Sequence, residues 1–133
     1  MAETEQALEE LVDDEFTIPF RVTLTIAGTA GSGARLRSYF HENGKIIHVM
    51  MHFPRGCNSL VRARILKDER NFYPSREYFA LDNATPEWYP DVNYRARELL
   101  TFEALNGDGA NPHTVSGSVT IKYKRSKLGV RYG

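Results

Sequence analysis

The sequence predicts an all-β protein: a jelly-roll-like antiparallel β-sandwich with a short N-terminal helical arm. Residues 17–26 alternate strictly between apolar and polar side chains, which is the period of a half-buried strand. Turn signals then separate further alternating runs at close spacing, and no long helical period recurs after residue 15. These runs give roughly seven or eight short strands, the pattern of a sandwich or barrel. The 133 residues suit a single domain.

The chain divides into an acidic arm, a sandwich domain and a basic tail, placed at residues 1–16, 17–124 and 125–133. Leu8, Leu11 and Val12 follow the i, i+3, i+4 spacing of one helical face, so we expect a helix over residues 4–14. A helix this short is marginal in isolation, and it would need a surface to pack on.

The first strand is predicted to bury one face and to lie at a sheet edge. Its apolar face consists of Ile18, Phe20, Val22, Leu24 and Ile26. Pro19 falls on the opposite face and cannot donate a ladder hydrogen bond, which favours an edge position.

The later strands follow from turn residues and alternation. An Asn43-Gly44 pair lies between two strand-like runs and favours a type I′ hairpin, because both central residues of that turn need positive φ. The run after it places Ile47, Val49, Met51 and Phe53 on one face. Further apolar faces are predicted at Val61, Ala63 and Ile65, at Leu100, Phe102 and Ala104, and at Val119, Ile121 and Tyr123.

Charge is balanced overall but unevenly distributed. Basic and acidic residues number 17 each, so the net charge gives no argument for nucleic acid or membrane binding. The first fifteen residues hold seven acids and no base, and the last thirteen hold five bases and no acid. We expect either two solvated ends or a contact between them, within one subunit or between neighbours.

Cys57 is the single cysteine, so no intramolecular disulfide can form. The N-terminus has neither the basic nor the apolar region of a signal peptide, and no apolar run reaches the length of a membrane span. We therefore expect synthesis in the cytoplasm without a signal peptide. Such a product can still leave the cell as part of a particle.

The stretch HVMMHFPRGCNS holds the residues closest to a chemical site. His48, Met50 and His52 fall two apart and share one strand face, and imidazole and thioether both suit copper. The ligand set is short, however, and the same spacing is produced by a strand whose other face is apolar. Cys57 has no orienting group that the sequence can assign, which leaves cysteine catalysis without support.

Enzymatic patterns are otherwise missing. Asp82, Glu87, Asp91 and Glu103 are scattered over loops and strands, and no spacing makes them converge. The chain has no Gly-x-Ser-x-Gly nucleophile elbow. We assign no catalytic residue, no metal ligand and no cofactor.

Interface candidates come from aromatic and basic residues, which dominate the energetics of protein contacts. The candidates are Arg62, Arg64, Trp88, Tyr89, Lys124 and Arg125. Two other interpretations of Trp88 stay open: it fills one end of the sandwich core, or it stacks on a sugar together with Tyr89. Acids interrupt or can neutralise both basic clusters, so a protein contact is favoured over nucleic acid.

Three stretches share a pattern of strand ends and turns: IIHVMMHFPRGCNSLVRARI, REYFALDNATPEW and LLTFEALNGDGANPHTVSGSVTI. In these features, about residues 45–121 resemble small single-domain β-sandwich proteins of phages and archaeal viruses. The resemblance implies a structural protein of a virion or particle surface, with a structural role for the turn residues Pro54, Gly56 and Cys57. The acidic arm and the basic tail are not part of the shared pattern.

We therefore expect a non-enzymatic structural subunit of a protein assembly, specifically a virion accessory or decoration protein. Its partners would be other copies of itself and other structural proteins of the particle, contacted through termini and loops. We expect no membrane partner, and its location would be the virion or another protein particle. Two alternatives remain: a sandwich module that binds carbohydrate, and a small His/Met metal-binding protein.

Overall fold

Residues 11–126 are described by a computed structural model, and they form nine β-strands. The strands are β1 (Leu11–Leu24), β2 (Gly33–Ser38), β3 (Gly44–His52), β4 (Val61–Lys67), β5 (Arg70–Tyr73), β6 (Glu87–Trp88), β7 (Val92–Tyr94), β8 (Leu100–Asn106) and β9 (His113–Ser126). Helices are absent from this part of the chain, which confirms the all-β prediction there. It therefore contains no helix long and apolar enough to cross a membrane.

The strands form two antiparallel sheets. Sheet A has the order β1-β9-β3-β6, with β7 also pairing with β3, and sheet B has the order β2-β8-β4-β5. The longest ladder joins β1 to β9, from Leu11 opposite Ser126 to Leu24 opposite His113. This long ladder places the two ends of the described chain side by side.

The hydrophobic core lies between the two sheets, as the alternating sequence predicts. Phe20 of sheet A stacks on Phe102 of sheet B, with 5.8 Å between the ring centroids. Ile18 and Leu24 are buried beside Phe20, and Val22 packs against them. Sheet B buries the predicted residues Val61, Ala63, Ile65, Leu100, Phe102 and Ala104. The antiparallel sandwich is confirmed.

A β-bulge corrects the predicted apolar face of β3. Val49, Met51 and Phe53 are buried as expected, but Ile46 takes the remaining core position and Ile47 is only half-buried. The register between β3 and β9 shifts between Ile46 and His48. An extra residue in one strand reverses the alternation on one side of the bulge, and the sequence pattern does not reveal it.

The helix expected over residues 4–14 is wrong for residues 11–14, which belong to β1. The rest of that expected helix, residues 4–10, and the start of the acidic arm lie outside the described residues. Residues 11–14 pair with residues 123–126 of β9. Two ion pairs, Asp13 with Lys124 and Asp14 with Arg125, also join these strands. Together the ladder and the ion pairs outweigh the weak preference of so short a segment for a helix. The first two tail residues, 125 and 126, also belong to β9, and residues 127–133 lie outside the described part.

The Asn43-Gly44 hairpin is also wrong. β2 pairs with β8 in sheet B, and β3 pairs with β9 in sheet A, so this segment carries the chain between sheets. The structure requires glycine at position 44 because of close packing, and its φ is not positive. A Cβ atom at this position would collide with the carbonyl oxygen of Lys122 and lie 2.8 Å from Cγ2 of Ile121. Glycine therefore allows the close approach of β3 to β9.

Candidate interaction surface

The turn after β3 is held by one carboxylate. Oδ1 of Asp82 accepts hydrogen bonds from the amides of Gly56, at 2.8 Å, and Asn58, at 2.9 Å. These amides, Asn58 foremost, lower the pKa of Asp82. Gly56 adopts a φ of 103°, which the turn requires and which L side chains rarely adopt. The turn residues thus have contacts suited to a structural role.

Cys57 lies in this turn with its side chain buried. Burial raises the pKa of its thiol, and the nearby charges of Asp82 and Asp108 raise it further. A nucleophilic cysteine needs a positive, accessible environment that lowers the pKa. The surroundings of Cys57 have the opposite character.

The two histidines of β3 have separate partners. Nε2 of His48 lies 2.8 Å from Oε1 of Glu87, and the His48 ring packs against Tyr89 with 4.7 Å between centroids. Nδ1 of His52 lies 2.7 Å from the hydroxyl of Thr85. Across residues 11–126, no group of three His, Cys, Asp or Glu side chains could hold a metal ion. Both histidines join β3 to the β6 side of sheet A.

Trp88 lies at the side of the sandwich, where the edge of sheet A meets the edge of sheet B. Its ring is 5.2 Å from that of Phe72 and 5.7 Å from that of Tyr73, measured between centroids. These three residues form what we call the aromatic edge cluster. Trp88 remains 37% exposed, so its interpretation as a plug of the core is wrong.

Tyr89 is 73% exposed and follows Trp88 directly, but its ring has different neighbours. Its hydroxyl donates to Oε1 of Glu87 at 3.1 Å, and its ring packs against His48. The hydrogen bonds from His48 and Tyr89 lower the pKa of Glu87. Trp88 and Tyr89 therefore do not share one stacked platform: Tyr89 packs on the side of His48 and Glu87, and Trp88 packs on Phe72 and Tyr73.

A cleft of about 310 Å³ opens beside the aromatic edge cluster. Its wall is mainly apolar and is formed by Phe72, Tyr73, Pro74, Ser75, Glu87 and Trp88. It lies between β5 and β6, the outer strands of the two sheets. We refer to it below as the edge cleft.

Arg62 and Arg64 lie on the outer face of sheet B. The guanidinium of Arg64 lies 4.4 Å from the ring centroid of Tyr78, and its Nε donates to Oε1 of Glu103 at 2.6 Å. Its Nη1 donates to Oδ1 of Asn71 at 2.7 Å. Arg62 is exposed and lies 5.5 Å from the same Tyr78 ring centroid. Arg64 is thus bound within the subunit, while Arg62 keeps an exposed charge.

Lys124 and Arg125 make ion pairs within the same chain. Nζ of Lys124 lies 2.6 Å from Oδ1 of Asp13, and Nε of Arg125 lies 2.7 Å from Oδ2 of Asp14. In the described part, the acidic and basic ends therefore meet within one subunit. Their charges are largely matched before any partner arrives.

The β1-β9 ladder extends beyond the rest of sheet A. The pairing of β3 with β9 ends at Lys45 opposite Lys122, whereas β1 continues to pair out to Ser126. We call residues 11–16 with 121–126 the terminal ribbon. Two large apolar side chains on it are exposed, Leu11 at 55% and Phe16 at 43%.

The outer edge of β1 has no strand beside it within residues 11–126, where β1 pairs only with β9. The amide of Glu15 donates to the side chain of Asp14 at 2.8 Å, which indicates that it points to this open side. Pro19 is four residues further, so its missing N–H faces the same side. The predicted edge position of Pro19 is confirmed.

Sequence reasoning did not single out Phe72, Tyr73 or the role of Glu87. Glu87 was one of several scattered carboxylates, and the two aromatics lie fifteen residues or more from Trp88. The aromatic richness of residues 68–97 was the available signal. Only the meeting of the two sheet edges brings these residues together.

No family model and no curated protein sequence matches the chain. The crystal structure of FLHE is similar at a TM-score of 0.50, with 17% identity over 84% of this chain and 96% of that chain. The BFDV capsid protein from a 60-mer is 7% identical, covering 95% and 98% at a TM-score of 0.49. The capsid of Helicobacter pylori bacteriophage KHP30 is 8% identical, covering 91% and 100% at a TM-score of 0.44. The similarity to FLHE is one of fold.

Proposed function

We propose that this chain is a non-enzymatic structural subunit of a protein assembly, and specifically a virion accessory or decoration protein. The observation that carries the proposal is the open edge of β1 on the terminal ribbon, with Leu11 and Phe16 exposed. An unpaired sheet edge offers main-chain donors and acceptors to a strand of another chain. Exposed apolar side chains add area that such a contact would bury.

The charges of the terminal ribbon suit a protein contact. Asp13 and Asp14 are matched by Lys124 and Arg125 within the subunit, so little net charge would be desolvated there. Pro19 limits strand addition along the middle of β1, which leaves residues 11–17 as the available edge. A second copy of the chain is the default partner, since most soluble assemblies are symmetric homo-oligomers.

Jelly-roll topology is the finer fold that we infer. The strands pair in nested fashion: β1 with β9, β2 with β8, β3 with β6 and β7, and β4 with β5. This is one long antiparallel hairpin wound over two sheets, as expected of a jelly roll. Jelly rolls build viral capsids as well as lectins and cupins, so topology alone does not select a function. The sequence resemblance to phage and archaeal-virus proteins is what favours the virion.

Mass in solution tests the assembly. We expect the full chain to form oligomers at high concentration and low salt, measured by sedimentation equilibrium. Glu15→Pro removes an outward amide without removing a bond to β9, and Leu11→Arg places a charge on the exposed apolar site. Both variants should shift the protein toward monomer. Leu60→Arg, at another exposed leucine, is the matched control and should not.

A wild-type monomer under all these conditions would contradict self-assembly. Equal dissociation by Leu60→Arg would show that the β1 edge is not the contact. The virion role has its own test, which is the genomic neighbourhood of the coding sequence. Capsid, portal or tail genes beside it would support the role, and a neighbourhood of metabolic genes would contradict it.

A further inference from the structure

We propose that the edge cleft is a docking site for a cationic side chain, an arginine or a lysine presented by a neighbouring protein. The neighbour is the one that the proposed assembly supplies, so the biological setting of this inference rests on the proposed function. The binding chemistry belongs to the cleft itself and can be measured on the isolated chain.

The first argument is the arrangement of the aromatic rings. Phe72, Tyr73 and Trp88 all line the cleft, and both smaller rings pack against Trp88. Tyr73 is nearly parallel to Trp88, with 18° between the ring planes, whereas Phe72 is tilted by 51°. Aromatic faces carry negative potential and attract ammonium and guanidinium groups, with tryptophan the best of them. A planar guanidinium can also stack on such faces.

The second argument is charge. Glu87 is the one ionisable acid among the lining residues, and no lysine, arginine or histidine lines the cleft with it. Hydrogen bonds from His48 and Tyr89 lower the pKa of Glu87, which keeps it charged at neutral pH. Both of those bonds go to Oε1. Within the described residues Oε2 accepts no hydrogen bond, and the Glu87 side chain is 43% exposed. Burial and the nearby charge of Glu87 raise the pKa of Tyr73 in the cleft wall, which indicates that this charge acts at the cleft, where Oε2 can accept from an incoming cation.

The third argument is size and polarity. At about 310 Å³ the cleft is near the lower limit of ligand sites, which run from about 300 to 1,000 Å³. This favours one side chain over an extended ligand. Besides the Tyr73 hydroxyl and the Trp88 indole N–H, only Ser75 and Glu87 among the lining side chains offer polar atoms to a ligand. A sugar, which presents several hydroxyls, would leave most of them unmatched against the apolar wall.

Trp88 provides a direct reporter, because it is the only tryptophan in the chain and lines the cleft. The full chain is titrated with acetyl-Gly-Arg-Gly-amide and acetyl-Gly-Lys-Gly-amide while Trp88 emission is recorded. We expect a saturable change with millimolar affinity for both peptides. The neutral peptide acetyl-Gly-Gln-Gly-amide, glucose and N-acetylglucosamine should give no saturable change.

Two variants that each remove one negative charge distinguish binding at the edge cleft from general electrostatic attraction. Glu87→Gln keeps the shape of the side chain and should weaken binding of the arginine peptide by about tenfold, the scale of one charge-assisted hydrogen bond. Asp91→Asn removes one negative charge from an exposed carboxylate that does not line the edge cleft. It should leave the affinity unchanged. Circular dichroism checks that both variants keep the fold.

Three results would overturn the proposal. The first is the absence of any saturable change with the cationic peptides up to their solubility limit. The second is an equal loss of affinity in Asp91→Asn and Glu87→Gln, which would indicate diffuse electrostatics. The third is saturable binding of a sugar with none for the cationic peptides, which would favour the carbohydrate module instead. A monomeric protein whose cleft binds the arginine peptide would contradict self-assembly and leave this inference standing.

Discussion

Replacing Tyr94 with phenylalanine removes one buried hydroxyl and leaves the ring in place. The hydroxyl accepts a hydrogen bond from the amide of Phe40 at 2.8 Å and donates to the carbonyl of Glu98 at 2.6 Å. It ties the crossing segment between β2 and β3 to the loop after β7. Tyr94 is only 2% exposed, so water cannot readily replace its oxygen.

The magnitude follows from the groups that lose their partners. The amide of Phe40 belongs to a buried residue, and an unsatisfied buried group costs about 1–3 kcal/mol. The carbonyl of Glu98 is in a half-buried residue and can turn to water at smaller cost. The carbonyl of Phe40 keeps its hydrogen bond from the Arg97 amide, at 2.7 Å, and therefore adds nothing to the loss of stability. We expect a loss of about 2 kcal/mol, or a fall in Tm of about 7 °C for a chain of this size.

Urea unfolding followed by Trp88 emission measures this loss, since the chain has a single tryptophan. Tyr39→Phe is the matched control, because Tyr39 is 54% exposed and its change should stay within about 0.5 kcal/mol. A Tyr94→Phe protein as stable as wild type would refute the reasoning. A Tyr39→Phe protein destabilised as much would refute it as well.

Three further outcomes are expected. Hydrogen bonds from His113 and the Ala110 amide lower the pKa of Asp108 from 3.8 to about 2. The charged carboxylate therefore stabilises the fold at pH values above 3.8. That contribution should disappear as the pH falls from 3.8 toward about 2. Over that range the urea midpoint of Asp108→Asn should therefore change less with pH than that of the wild type, and an equal pH dependence in both proteins would contradict the role of Asp108. Gly44→Ala should cost about 1–3 kcal/mol in calorimetry, because its methyl group collides with the Lys122 carbonyl; an unaltered Tm would show that the strands adjust freely. Iodoacetamide should label Cys57 slowly in the folded protein and rapidly in concentrated urea, and fast labelling of the native protein would contradict the buried thiol.

The faces of the long strands were predictable because alternation is a local property. Ile18, Phe20 and Leu24 are buried where the period of two places them. The same holds for Phe102 and Ala104 in β8. A strand with one face on a core needs apolar residues at every second position, and this need is written directly in the sequence.

The candidate site was predictable only in part. Trp88 and Tyr89 are exposed, as an interface prediction requires, but the pattern did not indicate that they have different partners. Lys124 and Arg125 were chosen for their charge, but both form ion pairs within the chain, with Asp13 and Asp14. Which opposite charges meet depends on strand register, which a single sequence leaves open.

By itself the sequence determined the class of structure and the composition of the core, because burial selects residue type position by position. It did not determine strand pairing. Asn43 and Gly44 have the local character of a hairpin, yet the flanking strands lie in different sheets, where β2 pairs with β8 and β3 pairs with β9. The edge cleft likewise exists because β5 and β6 end up as neighbours in separate sheets. Long-range pairing is a cooperative property of the whole sandwich, and only the tertiary structure decided it.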